Sequence, residues 1–330
     1  MKIKSLLVAI IAMGVFFTAG CGQKAVAPGD SSAPTQKLKV VASVYPVYEF
    51  VSQVGGDKVE VALLVPAGAE PHDWEPSAKD LINVKNAKLF FFHGANLEHW
   101  VDKVMAKDVL GATTPIEVSK NIALRKGSVH HHHHEHDAAD EDNHKHKPES
   151  DEDEGDEIDP HVWLDPLLAQ QEVSNIAEAL AVADPANASY YQDNAAKYNA
   201  QLQQLHQEYQ DGLQNIKKRT IITNHAAFGY LAARYNLEQV AIMGLSPDAE
   251  PTPEKMADVV KLTRERQIKY LFSETIVNPA LAETLAKEAG ATVLVLHPLD
   301  ALTPDEIKQG KNYLILMRQN LTHLKLALGQ

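Results

Sequence analysis

The chain has 330 residues, is 45% hydrophobic and 23% charged, and carries a formal net charge of −13 with 16 histidines and one cysteine. The acidic excess argues against nucleic acid as a partner. With a single cysteine no internal disulfide can form, so any fold must rest on its core.

Lys2 and Lys4 open the chain, Leu6 to Phe17 is apolar, and Thr18-Ala19-Gly20 is small. Residues 1–20 therefore read as a secretory signal, too short for a comfortable membrane span. Cys21 follows at once, and the pattern resembles a bacterial lipobox, in which the lipidated cysteine becomes the mature N-terminus. Residues 21–36 are rich in Pro, Gly, Ser and Ala and are expected to be a flexible tether between lipid and domain.

From Lys37 onward, strand and helix signals alternate. Lys37–Ser43 reads as a buried strand and Tyr45–Val54 as a helix stopped by Gly55-Gly56. Val59–Val65 is a strand, and Ser77 caps a helix to Lys85 with Asp80 closing a capping box. Ala87–Phe92 is a strand and Leu97–Met105 a helix. Between His130 and Asp159 stand 13 acidic residues against two lysines, which is −11 of the net charge. That stretch has little to bury and is expected to be disordered. Pro166–Ala181 is helical. A second helix starts at Asp184-Pro185 and runs from Ala186 to Ile216; its sparse apolar positions suit a strut between lobes better than a core element. Alternation then resumes with strands at Thr220–Thr223, Gln239–Leu245, Lys269–Phe272 and Thr292–Leu296. Helices are expected at Ala227–Tyr235, Thr252–Arg266, Pro279–Ala289 and, to close the chain, Pro304–Leu328. The expected fold class is α/β: two βα lobes with mostly parallel sheets, joined by one long rigid helix. The boundaries are 37–183 for the first lobe (with the acidic insertion, 127–158, inside it), 184–218 for the connecting helix and 219–330 for the second lobe.

The histidines fall into two populations. His130, His131, His132, His133, His134, His136, His144 and His146 lie in the acidic insertion. Of the others, three share a setting. His72 sits in Pro71-His-Asp-Trp-Glu-Pro-Ser77 after a strand, His161 in Asp159-Pro-His-Val-Trp-Leu-Asp-Pro166 before a helix, and His225 in Asn224-His-Ala-Ala-Phe-Gly229 after a strand. Ligands of open α/β sheets bind beyond the carboxyl ends of the strands. A neutral imidazole offers one lone pair to a borderline metal, while its other nitrogen needs an acceptor to fix the tautomer. Asp73, Glu75 and Asp165 are near enough in sequence to serve as acceptors, although helix capping explains them equally well. His93, His99, His206 and His323 lack the setting and read as structural or exposed.

From Val40 onward the chain resembles the zinc-uptake substrate-binding proteins of bacterial ABC transporters, the ZnuA/AdcA-type family. The likeness rests on Tyr45-Pro46, the PHDWEPS block from Pro71 to Ser77, the HVWLDP block from His161 to Pro166, NHAAFGYLA from Asn224 to Ala232, and the acidic His-rich insertion. It implies two lobes joined by a long helix and a fourth metal ligand, a carboxylate from the second lobe. Asp300 is preferred, with Glu274, Glu70 or His297 as alternative or outer groups. Three nitrogens and one oxygen suit Zn(II). Manganese relatives tend to carry a carboxylate where this chain has His225. The implied partners are an ABC permease with its ATPase and the membrane through Cys21, the protein being an extracytoplasmic monomer. The His-rich loop is expected to be a weak zinc collector, with a purely solvated insertion as the alternative. A zinc hydrolase is disfavoured because no HExxH helix or Gly-x-Ser-x-Gly elbow occurs. A surface adhesin role, for which the loop is the candidate feature, stays open.

Overall fold

The computed structural model describes residues 37–127, 157–247 and 250–330. The signal segment, Cys21, the tether and the eight histidines of the insertion lie outside the described residues.

The first lobe is built from β1 (Leu38–Ala42), α1 (Tyr45–Gly55), β2 (Val59–Leu63), α2 (Ala78–Lys85), β3 (Leu89–Phe92), α3 (Val101–Met105), α4 (Lys107–Leu110) and β4 (Thr114–Glu117). Its four strands are all parallel in the order β2-β1-β3-β4, with Val40 facing Val61 on one side and Leu89 on the other. Strand β3 is a continuous apolar run and β1 becomes one from Val40, the pattern of strands buried on both faces. Ser77 and Asp80 form the reciprocal capping box of α2. Strand β4, with the sequence TPIE, escapes a hydrophobic-run reading; as an edge strand it tolerates Pro115, whose missing N–H is not needed by a further neighbour. The helix expected at Leu97–Met105 begins only at Val101, after a turn at His99 and Trp100.

Two helices follow, α5 (Pro166–Ala183) and α6 (Ala188–Leu213). The second lobe contains β5 (Thr220–Thr223), α7 (Gly229–Arg234), β6 (Glu238–Ala241), α8 (Pro253–Glu265), β7 (Tyr270–Ser273), α9 (Ala280–Ala289), β8 (Thr292–Val295), α10 (Pro304–Lys308) and α11 (Tyr313–Leu328). Its parallel order, β6-β5-β7-β8, repeats that of the first lobe. The single closing helix expected from Pro304 is in fact two. Gly310 takes φ 68° after α10, and the Asn312 side chain accepts from the Ile315 N–H to start α11 anew.

Helix α6 has 26 residues, or about 39 Å at 1.5 Å per residue. It joins the lobes as expected, but it is also a core element. Tyr191, Ala195, Tyr198, Leu202, Leu205, Tyr209 and Leu213 are all buried at three- and four-residue spacing. Tyrosine carries much of that stripe, which is why the pattern looks sparse when aliphatics alone are counted. The stripe belongs to one hydrophobic cluster containing Phe50 and Phe91 of the first lobe and Phe228, Phe272 and Leu296 of the second. The lobes are therefore welded along a shared apolar seam.

Candidate metal centre

Each lobe sends loops from the carboxyl ends of its strands toward the other. After β2, the backbone continues its pairing at Leu64 and Val65, and Gly68 at φ 79° donates its N–H across to the Leu302 carbonyl at 2.8 Å. Trp74 is set edge-on against Trp100, with ring centroids 5.2 Å apart. These contacts fix the loop carrying Glu70 and His72, and the Glu70 carboxylate accepts the His72 backbone N–H at 3.1 Å.

His161 lies ahead of the short helical turn Val162–Leu164 that leads into α5. Trp163 locks that turn to the second lobe, its indole N–H donating to the Pro298 carbonyl at 2.7 Å while its own carbonyl accepts from the Tyr313 hydroxyl at 2.5 Å. His225 follows β5. Its N–H donates to Glu274 at 3.1 Å, and its carbonyl accepts from Thr223 and Gln239. Asp300 follows β8, its carbonyl accepting from Tyr45 N–H and its Oδ1 from Ala301 N–H at 2.8 Å. Leu299, just before it, has φ 61°, a conformation that costs a non-glycine residue roughly 1–2 kcal/mol. That strain is held by the Leu299 N–H donating to His297 Nδ1 at 2.9 Å.

The ligand atoms of His72, His161 and His225 lie within 4.8 Å of one another, and a second triplet of Glu70, His72 and Asp300 meets the same limit. All three histidines and Asp300 are buried. The Nδ1 atoms of His161 and His225 face Asp159 Oδ1 at 2.9 Å and Glu274 Oε2 at 2.6 Å. Each ring thus turns Nε2 into the cleft, and the two Nε2 atoms stand 3.4 Å apart. Two lone pairs cannot face each other at that distance without a cation between them, either a proton or a metal. Two nitrogens bound tetrahedrally to zinc at 2.0–2.1 Å would lie about 3.3 Å apart.

The surrounding charge is unequal. Burial, then His225 and His93, hold His161 well below the ordinary histidine range. Burial also lowers His225, but Glu274 outweighs it and, with Asp300 and Glu70, lifts the ring to about 9. Burial raises Asp159 to about 7, and burial with Asp300 raises Glu70 to about 8. Asp300 is raised too, by burial first. Glu70 Oε2 and Asp300 Oδ2 are buried without a hydrogen-bond partner, an arrangement that costs free energy unless a cation joins them.

His297 is not brought to the cluster. Its Nδ1 accepts from Leu299, so Nε2 carries the proton and faces Thr275 and Glu306. Glu274 holds His225 from behind. The acceptor of His161 is Asp159, two residues upstream in the same block. Asp165 instead caps α5 and pairs with Arg234, and exposed Glu75 pairs with Lys103; Asp73 is exposed. Of the remaining histidines, His93 pairs with buried Glu172, His206 contacts the Tyr235 hydroxyl, His323 contacts the Val295 carbonyl, and His99 is exposed.

Fold and cluster together define a two-lobed α/β binding protein whose cleft converges imidazoles and carboxylates on one small volume. The chain matches the profile of the zinc-uptake complex component A, periplasmic, over residues 40–327, and it belongs to that family. The high-affinity zinc uptake system protein ZnuA of Bacillus subtilis is 40% identical over 316 residues, covering 96% of this chain and 95% of that protein. The zinc-binding lipoprotein AdcA of Streptococcus pneumoniae is 38% identical over 329 residues, and this chain spans only 61% of its length. Among solved structures, the Zn(II)-bound ZnuA-like domain of AdcA matches with a TM-score of 0.73 at 38% identity, covering 89% of this chain and 100% of that one.

Proposed function

We propose that this chain captures Zn(II) between its lobes and delivers it to the permease of an ABC importer. His72 and His161 act from the first lobe, His225 and Asp300 from the second, with Glu70 as an additional oxygen donor. The observation that carries this reading is the 3.4 Å separation of the His161 and His225 Nε2 atoms, each ring turned inward by a carboxylate behind it. Three imidazoles favour zinc over manganese, which prefers oxygen and sits lower in the affinity series. The role is carriage and not catalysis: a catalytic zinc keeps one position for water, whereas here two buried carboxylate oxygens await the ion beside the imidazoles. The chain is placed outside the cytoplasm, with Cys21 as its lipid anchor, residues 21–36 as tether, lobes at 37–183 and 219–330, and the helix segment 184–218 between them. The shared core limits lobe movement to a modest closure, and the protein works as a monomer.

The test is metal stoichiometry of the form beginning at residue 37, with and without residues 128–156. One tightly held zinc is expected in the shortened form, lost in the His72→Ala, His225→Ala double variant. Unchanged zinc binding by that variant would overturn the assignment.

A further inference from the structure

Asp159, which orients a histidine of the first lobe, is itself gripped by the second lobe. The Tyr230 hydroxyl, on α7, donates to the Asp159 carbonyl at 3.1 Å and accepts the Arg125 N–H at 2.9 Å. Next to it, a Cβ added to Gly229 would stand 2.4 Å from Asp159 Oδ2. That oxygen belongs to the carboxylate whose Oδ1 accepts both the backbone N–H and the ring Nδ1–H of His161, each at 2.9 Å. Asp159 therefore cannot yield to a side chain at position 229 without turning His161. Tyr230 is 2% exposed and forms a small apolar cluster with Ile122 and Val162. The strand ends it touches are themselves joined: Asp159 N–H donates to the Arg125 carbonyl, Gly127 N–H to the Glu157 carbonyl, and Lys126 bridges Ile158 in antiparallel sense.

We infer that Gly229 and Tyr230 are positioning residues through which the second lobe sets the direction of His161. A slight parting of the cleft withdraws Tyr230 from the Asp159 backbone carbonyl and Gly229 from the Asp159 carboxylate, loosens the support of His161, and so couples cleft opening to metal release. This rests on the proposed zinc-binding role and adds a release device to it. Neither residue touches the ion. Their effect passes through Asp159, an outer partner of the kind whose loss costs about 10–100-fold in affinity.

The experiment uses the full mature chain loaded with one equivalent of Zn(II), or of Co(II) as a spectroscopic reporter, after removal of loosely held metal. Release to excess chelator, the visible Co(II) bands and the thermal midpoint of the metal-free protein are measured for the parent, Tyr230→Phe and Gly229→Ala. Release about 3–10-fold faster is expected for Tyr230→Phe and faster still for Gly229→Ala, a part of the 10–100-fold an outer partner controls. The Co(II) bands should shift in both. Should Gly229→Ala fail to fold, Tyr230→Phe decides alone. Unchanged release and bands overturn the inference, as does a lowered thermal midpoint with release and bands unchanged, which would make the clasp merely structural. A parent chain that retains no tight metal instead overturns the zinc-binding reading itself, and this inference with it.

Discussion

In the proposed zinc site His161 and His225 do the same work from opposite lobes, and their settings differ in an instructive way. His161 takes its carboxylate from two residues upstream in its own loop, whereas Glu274 reaches His225 from the end of a neighbouring strand, 49 positions along the chain. One ring is held far below its ordinary range by burial. The other is carried up to about 9 because Glu274, Asp300 and Glu70 overcome burial. Carboxylates of both lobes, Glu274 and Asp300 from the second and Glu70 from the first, thus gather around His225, whereas His161 is a neutral donor. A doubly charged ion placed between them is drawn toward the carboxylates while meeting an imidazole already free of a proton. Proximity in sequence gives the first histidine an acceptor from its own loop. That of the second depends on sheet register, where Thr223 pairs with Phe272 and places β5 beside β7.

Removing the rings in turn should have the largest effects. His161→Ala and His225→Ala should each weaken zinc binding by more than about 100-fold, beyond the range set by outer partners, as measured by chelator competition in the chain lacking residues 128–156. The carboxylates come next. Glu274→Gln and Asp159→Asn should each cost about 10–100-fold, with the larger loss at Glu274 because its contact is shorter, 2.6 Å against 2.9 Å. Equal affinities for parent and Glu274→Gln would show that the second ring needs no support. Smaller is the effect of Asp165, which shares a sequence block with His161 but caps α5. Asp165→Ala should lower stability by about 1 kcal/mol, read by denaturant unfolding, with zinc affinity changed less than about threefold, far below the outer-partner range.

A separate effect concerns pH. Burial raises Glu306, but His297 and Thr303 outweigh it and bring the group down to about 2. An unfolded glutamate titrates near about 4.3, so the folded state gains stability from this group above that value and loses it as the pH falls toward 2. The difference in thermal midpoint between parent and Glu306→Gln should therefore shrink over that interval. A constant difference from pH 5 to pH 2 would refute the assignment.

Much of the architecture is legible in the sequence because each element carries its own punctuation. Ser77 with Asp80 starts one helix, Gly290 at φ 75° ends another, and Thr220–Thr223 is a strand at the expected limits. The three histidines that the fold brings together share a setting legible in the sequence, each in a Pro-containing block or at a strand end. Their supporting carboxylates were harder to read. Asp159 and Asp165 flank His161 in one block, and only the three-dimensional path decides which faces the ring and which caps α5 and meets Arg234. Strand β4 was missed because Pro115 belongs to an edge, a property of sheet order and not of local pattern. The break between α10 and α11 had a local signal in Gly310 and Asn312, overridden by the apolar periodicity around it.

The most direct measurement is X-ray absorption at the zinc edge on the chain from residue 37 lacking residues 128–156. The proposed site would show one zinc with three imidazole nitrogens at about 2.0–2.1 Å and one carboxylate oxygen, the four ligands zinc prefers. A zinc surrounded by oxygen alone, or by fewer than three imidazoles, would contradict it.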